Sequence, residues 1–144
     1  MTWVTKRRIK VNRVATAWLI RRFIDPRPQF RFVDPKGYVH VEGELRFDMF
    51  EAEYTHAGDA CTFETLLRQF VPKNAALTEI AEIVHDVDCK DAKFRRDEAA
   101  GLARMIAGIA ALCPRDEDRI ERGSRLFDEL YAAFGGAGAR ASAP

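Results

Sequence analysis

Apolar and polar positions split this chain into two halves with different periods. In the first half, apolar residues alternate or come in short runs. Thr2-Trp3-Val4-Thr5, Phe30–Val33, Tyr38–Val41 and Leu45–Asp48 predict short strands, rich in β-branched and aromatic residues. Asp34-Pro35-Lys36-Gly37 predicts the turn that stops the second of them. Between the first two strands, Val14, Ala17, Trp18 and Ile20 predict a helix with Asn12 as its N-cap. It should end near Asp25, because Pro26 disfavours helix at the residue before it. Trp18, Leu19 and Phe23 should dock this helix onto the sheet.

After residue 61 the period becomes helical. Phe63, Leu66, Leu67 and Phe70 mark a helix capped by Thr62 with Thr65 and ended by Pro72. Asn74 caps the next, where Leu77, Ile80, Ala81 and Val84 share one face; the helix should end in the polar run at residues 85–91. Residues 97–112 are apolar almost all round, which predicts a buried helix. Asp116–Phe134 is amphipathic, with Ile120, Leu126, Phe127, Leu130 and Tyr131 as its core side, and Gly135-Gly136 stops it. Strands and one helix first, then four helices, predict an α+β fold. The small sheet of the N-terminal half is packed by one early helix and four C-terminal helices. Residues 1–134 form one domain. Residues 135–144 hold only Gly, Ala, Ser, Arg and Pro, a composition that predicts a disordered, dispensable tail.

Composition changes this picture little. At 144 residues, 47% hydrophobic and 31% charged, the chain suits a soluble globular domain able to bury a core without disulfides or a structural metal. Three widely spaced cysteines give no disulfide framework, which fits a reducing compartment. No signal-peptide h-region or membrane-spanning run is present, so a cytoplasmic location with no membrane partner is expected. A net charge of +1 gives no bulk-charge argument for a nucleic-acid partner, and none is expected on that ground. The charge is uneven, however: the basic residues of the first 31 positions face a single acid, Asp25. Such a surface suits an anion, a nucleic acid or an acidic partner, and equally suits neutralising acidic residues elsewhere in the fold.

Candidate chemistry gathers in two stretches. One is His85-Asp86-Val87-Asp88-Cys89-Lys90-Asp91, at the end of a predicted helix. On a helix His85, Asp88 and Cys89 share a face, joined by Glu82, while Asp86 points elsewhere. The other is 51–61, at the junction of the two halves, where Glu53 and His56 repeat the Glu-x-x-His spacing of Glu82 and His85. Imidazoles with carboxylates suit iron, zinc or manganese, with an open position for water or substrate. Glu53, His56, His85 and Asp88 are the first-choice ligands of a divalent transition metal, with Asp86 and Glu82 as alternates. His56 and His85 should then approach within about 3–4 Å, each bond being near 2.1 Å. His40, between Val39 and Val41, reads as structural. Cys61 and Cys89 read as small buried hydrophobes. Arg13, Arg21 and Arg22 on the first helix are candidate anion binders, since guanidinium forks suit tetrahedral oxyanions. No P-loop, dinucleotide fingerprint, nucleophile elbow or zinc-finger spacing occurs.

Several runs together resemble a known family. Trp3-Val4-Thr5, Trp18-Leu19-Ile20-Arg21-Arg22-Phe23-Ile24-Asp25, Phe47-Asp48, Glu53-Tyr54-Thr55-His56, Cys61-Thr62-Phe63-Glu64 and Ile83-Val84-His85-Asp86-Val87-Asp88-Cys89-Lys90-Asp91 are similar to the C-terminal domain of ChrB-type chromate-resistance proteins. The resemblance covers about residues 3–132. It implies a small domain associated with chromate resistance, joined in some members to a regulatory or sulfur-transferase-like domain; this chain reads as the stand-alone form. Where the family carries Leu after His-Asp-x-Asp, this chain has Cys89, so that thiol is not a shared functional group. The resemblance supplies no reaction. Three readings follow. The first is a metal-binding domain for chromate, oxyanion or oxidative stress, taking a small oxyanion or redox-active molecule; a metal-dependent redox activity and, separately, a homo-oligomeric state are compatible with it. The second is a sensor whose basic N-terminal surface meets DNA or protein. In the third the histidines are purely structural.

Overall fold

A computed structural model describes residues 1–136; all but the first two residues of the predicted tail lie outside the described residues. The elements run β1 (Thr2–Lys6), α1 (Val11–Leu19), a π-helical segment (Ile20–Ile24), β2 (Gln29–Val33), β3 (Leu45–Arg46), α2 (Thr62–Phe70), α3 (Ala75–Cys89), α4 (Glu98–Leu112) and α5 (Asp116–Ala133). The sheet has order β2-β1-β3, both pairings parallel, with Trp3 opposite Phe30 and Leu45. This is the predicted α+β arrangement of one small sheet with one early and four later helices.

Helix α1 is the hub. Eight of its nine residues are buried, and it packs against α2, α3 and α5. The expected docking of Trp18 and Phe23 on the sheet gives way to docking on α5. Trp18 stacks on Phe127 at 5.5 Å and meets Tyr131 edge-on at 6.0 Å, while Phe23 meets Tyr131 at 5.2 Å. The indole N–H of Trp18 donates to Asp128 at 2.8 Å. Three short strands offer less apolar area than a five-turn helix, so the aromatic face turns to α5. The helices meet closely at Gly123, where a Cβ would lie 2.4 Å from Val14 Cγ1.

Local predictions are corrected in four places. Residues 38–41 form no strand, and Val39 and Val41 are exposed. Asn12 is no cap; it is the second residue of α1, whose N-cap is Lys10. Helix α2 starts after Cys61, whose N–H donates to Glu64 Oε1 at 2.9 Å, the reach-back of a capping box. Helix α4 buries only Leu102, Ile106 and Ile109, because its small residues face the solvent or a cleft. Asn74 caps α3 as predicted, accepting from Leu77 N–H at 3.0 Å. That helix stops at Cys89 because Lys90 adopts φ 53°, so Asp91 lies in the loop beyond it.

Candidate functional site

Two separate histidine clusters lie at the junction of the two halves. The first opens into a cleft of about 990 Å³. Asp48, held at φ 51° just past β3, is its pivot. Thr62 at the start of α2 donates to Asp48 Oδ1 at 2.8 Å, and Arg13 of α1 lies 3.2 Å from Asp48 Oδ2 while also donating to the Asp48 carbonyl. His56 Nδ1 sits 3.4 Å from Asp48 Oδ1, and its Nε2 pairs with Asp88 Oδ2 at 2.7 Å. A half-exposed imidazole thus stands between a carboxylate from the sheet side and one from α3. Ligand atoms of His56, Asp88 and Cys89 all fall within 4.8 Å of one another. The cleft is walled by the first turn of α1, the end of α3, the following loop, and the small residues of α4 from Ala99 to Ala110. Lys10, Arg13, Lys90, Arg95 and Arg96 line it against Asp48, Asp86 and Asp88.

The second cluster is buried. His85, fully inaccessible, pairs through Nδ1 with Glu64 Oε1 at 2.6 Å and through Nε2 with Asp91 Oδ2 at 3.0 Å. Burial alone would push this imidazole toward neutrality, but hydrogen bonds to Glu64 and Asp91 outweigh it and raise its pKa above the usual histidine value. The cost of hiding the charge is offset by two acceptors, one on each ring nitrogen. The His85 hydrogen bond in turn holds Asp91 below the usual carboxylate range. The Cys61 thiol lies in the same group and is pushed strongly up by burial; that of Cys89 is pushed up to about 11, again first by burial. Both stay protonated at neutral pH; Cys61 is buried as expected, whereas Cys89 is only half-buried.

The predicted site residues are therefore distributed differently from the expected single site. His56 and Asp88 come together at the cleft. His85 does not join them: both its nitrogens are engaged elsewhere, and among the described residues no group of three ligand atoms holds both histidines. Glu53 leaves the site, because it accepts from the Arg46 side chain at 2.8 Å and stands 3.8 Å from His40. Asp86 lines the cleft but accepts the backbone N–H groups of Phe94 and Arg96, fixing the loop after α3. Glu82 pairs with Arg96 at 3.2 Å. Arg13 reaches the cleft, whereas Arg21 and Arg22 turn to α5 and pair with Glu121 and Asp128. Sequence reasoning missed Asp48, Glu64 and Asp91 as partners of the histidines. Glu64 carried a signal, its capping-box spacing from Cys61. Asp48 carried none beyond its place in a resembling run.

Among the described residues, no helix is long and apolar enough to cross a membrane. No solved structure matches this chain. The family model described as "ChrB, C-terminal domain" matches residues 3–134. "Protein ChrB" of Cupriavidus metallidurans is 33% identical over 133 residues, covering 92% of this chain. The chain spans about 40% of the length of that curated relative. The tryptophan-bearing first helix, the His56 loop and the His85–Asp91 run all fall inside the matched span, and the chain belongs to the ChrB C-terminal domain family.

Proposed function

We propose that this domain binds a divalent transition metal at His56 and Asp88 and draws an oxyanion to the surrounding cleft, in a chromate-resistance role. The observation that carries the reading is the pairing of His56 Nε2 with Asp88 Oδ2 at 2.7 Å, with Asp48 beside the other ring nitrogen. A ligating histidine typically has a carboxylate at its second nitrogen, which sets its tautomer and orientation. Asp48 is positioned for that, itself held by Arg13 and Thr62. One nitrogen and one carboxylate oxygen fit iron, zinc or manganese; the Cys89 sulfur lies within reach but holds its proton at neutral pH. When bound, such a metal supplies a Lewis acid with open positions for an anion. Arg13, Lys10 and Lys90 supply positive charge along the approach. The chromate-resistance role rests on the family, and the oxyanion on these cations.

The test is elemental analysis of protein purified without a histidine tag, stripped with chelator and reloaded with iron, zinc or manganese. The expected result is near-stoichiometric metal in the native chain and loss of most of it in His56→Ala and Asp88→Ala. Negligible metal in the native chain, or unchanged metal in both variants, sinks the reading. Turnover of chromate or superoxide by the loaded protein then separates a redox enzyme from a metal-dependent sensor.

A further inference from the structure

We propose that α4 carries the interface of a homodimer, in which two copies of the helix lie antiparallel across a two-fold axis. The proposal goes beyond the metal reading and does not depend on it. Helix α4 gives Leu102, Ile106 and Ile109 to the core and Ala99, Ala103 and Ala110 to the cleft. Its third side is open among the described residues. There Gly101, Met105, Gly108 and Leu112 follow one another at spacings of four, three and four, which sets them within an arc of about 60° around the helix. This is the spacing of a coiled-coil seam. Met105 is 55% exposed and Leu112 85%, although both are large apolar side chains.

The two glycines point independently to a second backbone. Glycine inside an exposed helix weakens it relative to alanine. Neither position needs glycine within one chain: neither has positive φ, and an added Cβ at either meets nothing within 4 Å. Gly123 is the contrast, since Val14 presses on it. Two seam positions without side chains let another helix approach closely. The one charge beside the seam, Arg104, is exposed and lies at its edge, where a long side chain reaches solvent past a partner.

Shape and charge choose a second copy as the occupant. An antiparallel arrangement sets Leu112 on the partner's Gly101 and Met105 on the partner's Gly108, and the two-fold axis repeats both contacts. Each large side chain thus meets a position that has none. A parallel pairing in register would instead crowd Leu112 against the partner's Leu112 and leave glycine facing glycine. The antiparallel register also brings Asp97, exposed and without an ion pair among the described residues, to the level of the partner's Arg115, a side chain that is 72% exposed. The helix dipoles run in opposite directions, which is the favourable sense. From Gly101 to Leu112 the seam is about 17 Å long, on a helix about 10 Å across. That footprint falls below the roughly 800 Å² per partner of a standard interface, so the dimer is a weak one, with Kd on the order of 10 μM.

Sedimentation equilibrium of the full chain, from about 1 μM to about 500 μM, tests this and should show a monomer–dimer equilibrium. Gly101→Leu puts a side chain where the partner's Leu112 sits, and Leu112→Gly removes the knob. Each should raise the dimer Kd at least about tenfold. Both positions are open within one chain, so both variants should keep the monomer fold, which circular dichroism checks. The double variant Gly101→Leu with Leu112→Gly exchanges knob and hole, and its Kd should return to near the native value. If either single variant does not fold, Met105→Ser, at an exposed position, carries the test with the same expected weakening. A chain that stays monomeric throughout, folded single variants that dimerise as the native chain does, or a double variant as weak as the singles overturns the proposal. So does dimerisation that appears only after truncation following Gly136, which would put the segment 137–144 on the seam instead. None of these results touches the metal content of the native chain or of His56→Ala, so the two readings fail separately.

Discussion

His85 shows how much one side chain can hold together. It ties α3 to α2 through Glu64 and to the following loop through Asp91, and that loop carries positive φ at Lys90, Ala92 and Arg95. Its folded pKa lies above the unfolded value near 6.5. The stabilisation is therefore complete below about 6.5 and is lost as pH rises through the folded value. Melting temperatures measured from pH 6 upward should fall more steeply for the native chain than for His85→Gln, since glutamine cannot titrate. His85→Ala should cost about 3–5 kcal/mol, because it leaves Glu64 buried without its cation; equilibrium urea unfolding checks this. His56→Ala removes a half-exposed ring and should cost far less stability while abolishing metal uptake. The two histidines looked equivalent in the sequence, each three residues after a glutamate. Burial separates them, and no local pattern encodes it.

At the scale of elements, glycine gives opposite expectations in two helices. At Gly123, a Cβ meets Val14 across the α1–α5 contact. Gly123→Ala should destabilise the protein by about 1–3 kcal/mol through overpacking. Gly101 and Gly108 of α4 have nothing within 4 Å of an added Cβ. Alanine at either should stabilise by about 0.5–1 kcal/mol through helix propensity. Thermal melts of the three single variants decide the signs. Helix α4 also explains one misreading. An Ala-rich segment has an apolar pattern all round whether it is buried or lines a cleft, because alanine is small enough for either. Segments 38–41 failed for the converse reason: a period-two pattern specifies a strand only where a neighbouring edge supplies hydrogen bonds, and none pairs with it.

At the scale of the molecule, the charge pattern predicts a stability maximum in mildly acidic solution. Asp25 is held below the usual carboxylate range: burial opposes this, but hydrogen bonds from Trp3, the N-terminal amine and Arg27 prevail. Glu44 is lowered by Arg31, and Glu98 by Arg96. Depressed carboxylate pKa values contribute stability above their unfolded values and lose it as pH falls through the folded ones. His85 imposes the opposite slope above about 6.5. Chelator-treated protein should therefore melt highest between roughly pH 4.5 and 6.5, with decline on both sides. A melting temperature still rising at pH 8 would contradict the pairing of His85 described above.

What the sequence by itself determined was mostly local. The helical periods after residue 61, the Asn74 cap, the stop at Pro72, strands β1 and β2, and the α+β class follow from propensity and patterning within ten or so residues. The candidate stretches were legible too, since His56 and Asp88 stand out by chemical type. Tertiary structure alone decided which partner each group meets. Glu53 found Arg46, Arg21 and Arg22 found α5, and Asp48 and Asp91 became partners of separate histidines. These choices span 6 to 106 residues of chain, and the sequence offers many acids for each base. Packing of α1 into its neighbours fixes which carboxylate arrives within hydrogen-bond distance, and a charge once buried has to take the partner that the fold delivers.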